Sequence, residues 1–360
     1  DGYHGDYIKD LASVIVSKNP EFKDLDENTS TQKFRDAGYA LQLKQQQDVL
    51  DTFGTHFDVW FSELSLYDGD FFGHVQAELR KHGHVFDHEG AVWLRTTDFG
   101  DDKDRVMIKS DGSSAYFASD SAYYISKRER GFQILIYMLG ADHHGYVGRL
   151  KALAACAGDD PKTVECLIGQ LVKIMENGEE VKLSKRAGTI ITLEELIEKV
   201  GVDAARYTLI RYPVNTPMVM DVDLLRSRTN ENPVYYVQYA HARICAVLRN
   251  ATDLKVAYGK ENIHAELLEH ELERELIGAL GEFPGVVATA AELREPHRVA
   301  RYAEELAATY HRFYADCRVL PMGDEAPSAL HSARATLCKS TAQVIANCLD
   351  LLGVSAPEKM

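Results

Sequence analysis

Three cations fall within five residues at Lys182-Leu183-Ser184-Lys185-Arg186, and Ala187-Gly188-Thr189 follows. A basic loop with a small hydroxyl and a glycine can close over a triphosphate. Lysines supply point charges for the negative charge that develops as pyrophosphate leaves, and glycine lets the loop bend. The bland alternative is a solvated charged loop. A second constellation, Gly140-Ala141-Asp142-His143-His144-Gly145, ends the apolar run Gly131 to Leu139. In open parallel sheets ligands bind beyond the carboxyl ends of the strands. A glycine there allows close backbone approach, and an aspartate can take ribose hydroxyls. The competing reading is a strand-to-helix turn with an N-cap aspartate. Adjacent histidines diverge and no third ligand is evident, so no metal is expected.

A third constellation is Ser110-Asp111-Gly112 leading to Tyr116 and Asp120. If the residues after Ala115 are helical, Tyr116 and Asp120 share a face at i, i+4. A phenol and a carboxylate on one face suit a guanidinium, which wants at least one carboxylate in fork geometry. Glu63 follows the aromatic stretch Phe57 to Phe61. It is expected at the end of an apolar strand, either as a buried second carboxylate or in solvent. Near the C-terminal end, Tyr235, Tyr236, Tyr239, His241, Arg243, Tyr314 and Arg318 put aromatics and cations on neighbouring turns. Such surfaces stack on unpaired RNA bases, although aromatic helical stripes are also core material.

The elements that would carry these groups differ along the chain. Residues 1–90 are mixed, with amphipathic helices over Tyr7 to Ser17, Gly38 to Phe53 and Asp70 to His82. Residues 91–180 alternate strand and helix: Val92 to Leu94, Arg105 to Ile108, the apolar run as a buried parallel strand, then a helix from Gly145 to Ala157. Residues 181–232 hold the basic loop and a helix that Thr192 and Glu195 start as a capping box. Residues 233–360 are helical throughout, over Tyr235 to Arg249, Glu266 to Leu280, Pro296 to Tyr314 and Ser328 to Leu352, with Pro284, Pro321 and Gly353 as punctuation. The fold class is α/β plus all-α.

With 360 residues, two or three domains are expected. No apolar run is expected to reach the ~20 residues of a membrane helix, no signal peptide is evident, and no membrane partner is expected. Six cysteines form no Cys-x-x-Cys pair, which fits buried thiols in a reducing, cytoplasmic setting. The net charge of −15 argues against nucleic acid as a partner, but a total does not exclude a basic face.

Taken in order, Gly5-Asp6-Tyr7-Ile8, Ser110-Asp111-Gly112, Ala141 to Tyr146, Lys182 to Thr189, Gly201 to Arg206, Tyr236 to Arg243 and the terminal Gly353 to Met360 resemble arginyl-tRNA synthetases of the bacterial, actinobacterial kind. The resemblance runs along essentially the whole sequence, and several segments in order are more specific than any one. It implies the C-terminal half of a class I synthetase Rossmann catalytic domain, followed by a helical-bundle anticodon-binding domain. It implies an arginine–tRNA ligase that uses ATP with Mg2+, passes through arginyl-adenylate and takes L-arginine and tRNA(Arg) as partners. A monomer is expected.

By matching positions, the resemblance implies an arginine site at Glu63, Tyr116, Asp120 and His143, with His143 where relatives often have glutamine. It implies a nucleotide side at Gly140, Asp142 and His144, and a phosphate loop at Lys182, Ser184 and Lys185, with Leu183 in the usual methionine place. Tyr239, Arg243, Tyr314 and Met360 fall where relatives contact the anticodon arm. The family's N-terminal tRNA-elbow domain and first Rossmann half, with its His-x-Gly-His motif, have no counterpart here. Lys81-His82-Gly83-His84 has similar letters without a Rossmann strand before it, and reads as a polar turn. On that basis the 360 residues alone are expected to lack synthetase activity. The alternatives are a tRNA-binding fragment without catalysis and another class I adenylate-forming ligase.

Overall fold

The computed structural model describes residues 6–181 and 191–360. The chain divides into two compact units. One comprises residues 1–56, 172–213 and 219–360; the other comprises residues 57–171 and 214–218.

The second unit contains the α/β part. Helix α3 (Phe71–Lys81) leads into an antiparallel sheet of β1 (Val85–His88), β2 (Ala91–Leu94) and β3 (Arg105–Ile108). Helix α4 (Tyr116–Glu129) follows, then β4 (Leu135–Gly140), α5 (Tyr146–Cys156) and β5 (Val164–Gly169). Strands β4 and β5 pair in parallel, with Leu135 opposite Val164 and Gly140 opposite Gly169, so both ends that matter chemically are level. One core binds the unit, with Leu79, Leu94, Met107, Tyr124, Leu153 and Cys156 all essentially without solvent contact. Burying side chains of this size contributes roughly 1.5–3 kcal/mol each.

Strand β4 starts later than the apolar run suggests. Gly131 takes a left-handed φ of 88°. The Arg128 guanidinium then donates to the carbonyls of Phe132 (3.0 Å) and Gln133 (2.5 Å), holding 131–134 as a loop. Phe57 to Ser62 form no strand at all; Phe57 and Trp60 pack edge to face at 5.1 Å instead. Glu63 instead opens a short 3-10 turn and is exposed, which corrects the expected strand end and leaves, of the two expected placements, the one in solvent.

The first unit starts with α1 (Asp6–Lys18) and α2 (Glu27–Thr52). Helix α2 begins well before Gly38. Asp26 caps it by accepting from the Thr29 amide at 3.1 Å, a signal that apolar periodicity does not carry. Strands β6 (Val172–Glu176), β7 (Glu179–Glu180) and β8 (Met218–Asp221) form a sheet in the order β7-β6-β8. Helices α6 (Leu193–Val200), α7 (Val202–Ile210) and α8 (Val222–Arg226) accompany it, and α6 has the Thr192/Glu195 capping box that its sequence announces.

Four long helices complete this unit: α9 (Pro233–Asp253), α10 (Glu271–Leu293), α11 (His297–Asp316) and α12 (Ala329–Leu351). Their interior includes Ile244, Leu306, Tyr310, Phe313 and Ile345, all fully buried. Pro284 does not punctuate but lies inside α10, at an exposed position where water can take the carbonyl that its missing N–H frees. Helix α10 is also 23 residues long and contains an 18-residue stretch with a mean hydropathy of 1.3, enough by length and composition to cross a membrane. That corrects the expectation that no such run exists. Here α10 packs on α11, with Tyr302 Oη donating to the Ala279 carbonyl at 2.8 Å.

Candidate active site

The turn Ser110-Asp111-Gly112 aims α4. Asp111 accepts from the Ser113 amide at 2.9 Å, and the Ser113 hydroxyl together with that amide holds its carboxyl below the usual range. Gly112, at φ 82°, donates to the Lys109 carbonyl. Helix α4 then starts at Tyr116, which is 94% exposed, and Asp120 lies one turn on, half-buried on the same face. Burial pushes the Asp120 carboxyl up. The Arg149 cation draws it down, and the Glu63 carboxylate raises it again. A carboxylate whose charge is disfavoured by burial and by a second carboxylate is one whose ionised form a bound cation favours.

The strand-end constellation sits at the carboxyl end of β4. A 3-10 turn spans Ala141–His143, leaving Asp142, His143 and His144 exposed. A side chain at Gly140 would put its Cβ 2.7 Å from Asp142 Oδ1, so glycine lets this carboxylate fold back over the strand end. His143 Nε2 lies 3.5 Å from Asp142 Oδ2, and its ring meets Tyr146 edge-on at 5.8 Å. Arg149 stands 4.1 Å above the Tyr146 ring, and its buried Nε has no hydrogen-bond partner among the described residues. Sequence reasoning missed Arg149. The only signal was the Tyr146/Arg149 spacing of three on an expected helix.

Lys182, Ser184 and Lys185 lie outside the described residues. What is described is how the chain is anchored on either side of them, within the first unit. Val181 N donates to the Ile174 carbonyl at 2.9 Å, and Thr192 begins α6. Lys199 binds both Glu176 oxygens at 2.7 and 2.8 Å.

In the helical part the aromatics form a ladder. Tyr235 and Tyr239 stack at 5.9 Å, Tyr239 and His311 lie 6.4 Å apart, and Tyr310 and Tyr314 stack at 5.8 Å. The exposed Arg243 guanidinium rests 4.7 Å over the Tyr314 ring. Burial and the Arg243 charge hold His311 below its ordinary pKa, so it is a neutral ring in this ladder near pH 7. His241 is not in it. It is buried, with Nδ1 2.9 Å from the Pro357 carbonyl, and Arg249 donates to the Glu358 carbonyl at 3.2 Å. These bonds hold the C-terminal tail on α9 and leave Met360 exposed. Arg318 is paired with Glu325 at 2.9 Å.

His82 and His84 close a turn between α3 and β1. His84 pairs with Asp98 at 3.0 Å. Among the described residues no three His, Cys, Asp or Glu side chains converge as a metal site.

An α/β body with its polar groups at a parallel strand end, together with a helical bundle bearing an aromatic face, is the architecture of a class I aminoacyl-tRNA synthetase with a DALR anticodon-binding domain. Family models agree: tRNA synthetases class I (R), catalytic domain, matches residues 10–242, and the DALR anticodon binding domain matches residues 237–360. The whole chain aligns with an assigned arginyl-tRNA synthetase from Campylobacter jejuni at 30% identity and TM-score 0.86, covering 77% of that chain. The chain belongs to the arginyl-tRNA synthetase family of class I ligases, which use ATP as substrate. The same fold recurs in the Thermus thermophilus enzyme (21% identity, TM-score 0.70, 96% of this chain and 69% of that one). It recurs also in the Plasmodium falciparum enzyme (18%, 0.70, 97% and 67%).

Proposed function

We infer that the protein joins L-arginine to tRNA(Arg) through arginyl-adenylate. The arginine carboxylate attacks the α-phosphorus of Mg2+-bound ATP, pyrophosphate leaves, and a ribose hydroxyl of the tRNA end then displaces AMP. The observation that carries the choice of arginine is Asp120, a half-buried carboxylate one turn from the exposed Tyr116 on α4, whose charge the Glu63 carboxylate also disfavours. In this reading Asp120 and Glu63 take the guanidinium, Tyr116 closes over it, and His143 approaches the amino-acid backbone. Gly140, Asp142 and His144 receive the nucleotide, and Lys182, Ser184 and Lys185 neutralise the leaving phosphates. Tyr239, Arg243, Tyr314 and Met360 receive the anticodon arm, which assigns tRNA docking to residues 233–360, and the working unit is a monomer.

Amino-acid- and tRNA-dependent ATP–pyrophosphate exchange, measured on the natural protein, tests this. Arginine should support exchange, and Asp120→Asn should raise its KM about 100-fold, as expected for a buried charge pair losing one partner. Exchange driven better by another amino acid, or an unchanged KM in Asp120→Asn, would overturn the assignment.

A further inference from the structure

Helix α4 carries a cation of its own within electrostatic reach of Asp120. Lys127 lies two turns after Asp120 on the same face, and helical side chains lean toward the helix N-terminus, so its stem reaches back toward Asp120. Lys127 Nζ sits 3.9 Å from the centroid of the Tyr123 ring and 4.0 Å from that of the Tyr137 ring on β4. Phe61 stacks on Tyr123 at 4.6 Å with the planes 22° apart, fixing one jaw of this clamp. The ammonium is half-buried, and among the described residues it has no ion pair within 4 Å. It is therefore a partly desolvated ammonium held between two ring faces by cation–π contact.

The charged and titratable groups acting on it are Asp120 and Arg130 along α4, with Tyr123 on the same helix and Tyr137 on β4. Burial brings the ammonium down to about 8, Arg130 pushes the same way, and Asp120 opposes. Tyr137 is raised by burial and by Asp120, so it does not ionise in the same range.

We propose that Lys127 determines specificity: its ammonium fills from within a second cation site next to the guanidinium pocket, so that lysine and ornithine find no place for their own ammonium. This rests on the reading of Asp120 and Glu63 as the guanidinium site. Arginine's planar fork is held by carboxylates in pairs, whereas a compact ammonium is a point charge that fork geometry does not hold. An occupied clamp also meets the wrong substrate with like charge, which is how specificity is commonly secured.

The test compares kcat/KM for arginine, lysine and ornithine in the natural protein and in Lys127→Met and Lys127→Gln. The arginine-to-lysine ratio should fall on the order of tenfold in both variants, the scale of one cation–π site, with lysine's gain carrying the change. In the unmutated protein the same ratio should fall as pH rises through about 8, while Lys127→Met shows no such step. The pH arm needs no folded variant. A ratio unmoved by either substitution and flat across that pH range overturns the proposal. Asp120→Asn, run alongside, separates the two failures. If it leaves the arginine KM unchanged, the pocket itself is wrong. If it weakens arginine while the lysine ratio stays fixed in the Lys127 variants, only the role of Lys127 is lost.

Discussion

Arg334 Nε meets Glu273 Oε1 at 2.6 Å in the interior of the helical bundle, where the Glu273 side chain is only 1% exposed. The other Glu273 oxygen accepts from the His270 amide at 2.8 Å, and Arg334 Nη1 donates to the Arg318 carbonyl at 2.9 Å. One ion pair thus fixes the start of α10, the face of α12 and the segment between α11 and α12. Removing one partner strands a buried charge, so Arg334→Ala should cost about 3–5 kcal/mol, whereas replacing both partners by methionine should recover much of it. Urea unfolding of the three proteins gives the comparison. An Arg334→Ala cost below about 1 kcal/mol would mean that the pair is solvated.

Asp120 should show a trade between stability and binding. Its carboxyl is raised by burial in the folded state, so the folded protein holds that proton more tightly than the unfolded chain does. Stability from this group therefore increases as pH falls through the raised pKa and is missing near neutrality. Asp120→Asn should raise Tm at pH 7, and the gain should shrink as pH is lowered. Thermal unfolding across pH 4–8 reads this directly, and a lower Tm at pH 7 would contradict it.

Gly353 should not tolerate a side chain. It sits at φ 65°, and an added Cβ would come 2.5 Å from the Arg206 guanidinium. That guanidinium donates to the carbonyls of Phe53 (2.7 Å) and Gly54 (3.1 Å) and to Thr55 Oγ1 (3.1 Å), tying the end of α2 to α7. Gly353→Ala should lose about 1–2 kcal/mol to the left-handed backbone alone, plus whatever Arg206 loses by moving. Chemical denaturation of Gly353→Ala beside Arg206→Ala shows whether the two costs overlap, as shared contacts require.

The Arg243/Tyr314 pair should mark RNA contact by its salt response. Arg243→Ala should weaken tRNA binding and reduce the slope of log K against log salt by about 1. Tyr314→Ala should weaken binding with that slope kept, because stacking releases no counterions. Filter binding over a salt series separates them; equal slopes in all three proteins would remove Arg243 from the interface.

The buried thiols should be inert. Burial pushes Cys156, Cys338 and Cys348 up to about 12, so their thiolates are absent at neutral pH. Alkylation with mass mapping should label Cys166 and Cys245, the two partly accessible thiols, first. Early modification of Cys338 would indicate opening of the bundle.

Much of this protein was legible as local pattern. The 3.6-residue stripes of α9, α11 and α12, the Thr192 capping box and the end of the apolar run at Gly140 each depend on neighbours in sequence, so each emerged close to where the structure has it. Ordered motifs such as Ser110-Asp111-Gly112 and Ala141 to Tyr146 were enough for the family. What depends on packing was hidden. Helix α2 begins at an Asp26 cap in a polar stretch without periodicity. Phe57 to Ser62 lacks any strand partner, so Glu63 is exposed. Arg149 and Lys127 look like ordinary helix-surface cations until folding places one over Tyr146 and the other between Tyr123 and Tyr137. Sequence fixes which side chains exist and how helices and strands begin. Only the tertiary structure removes water from around a charge, and that loss of solvent is what turns Lys127, Asp120 and Glu273 from surface residues into parts of a site or a core.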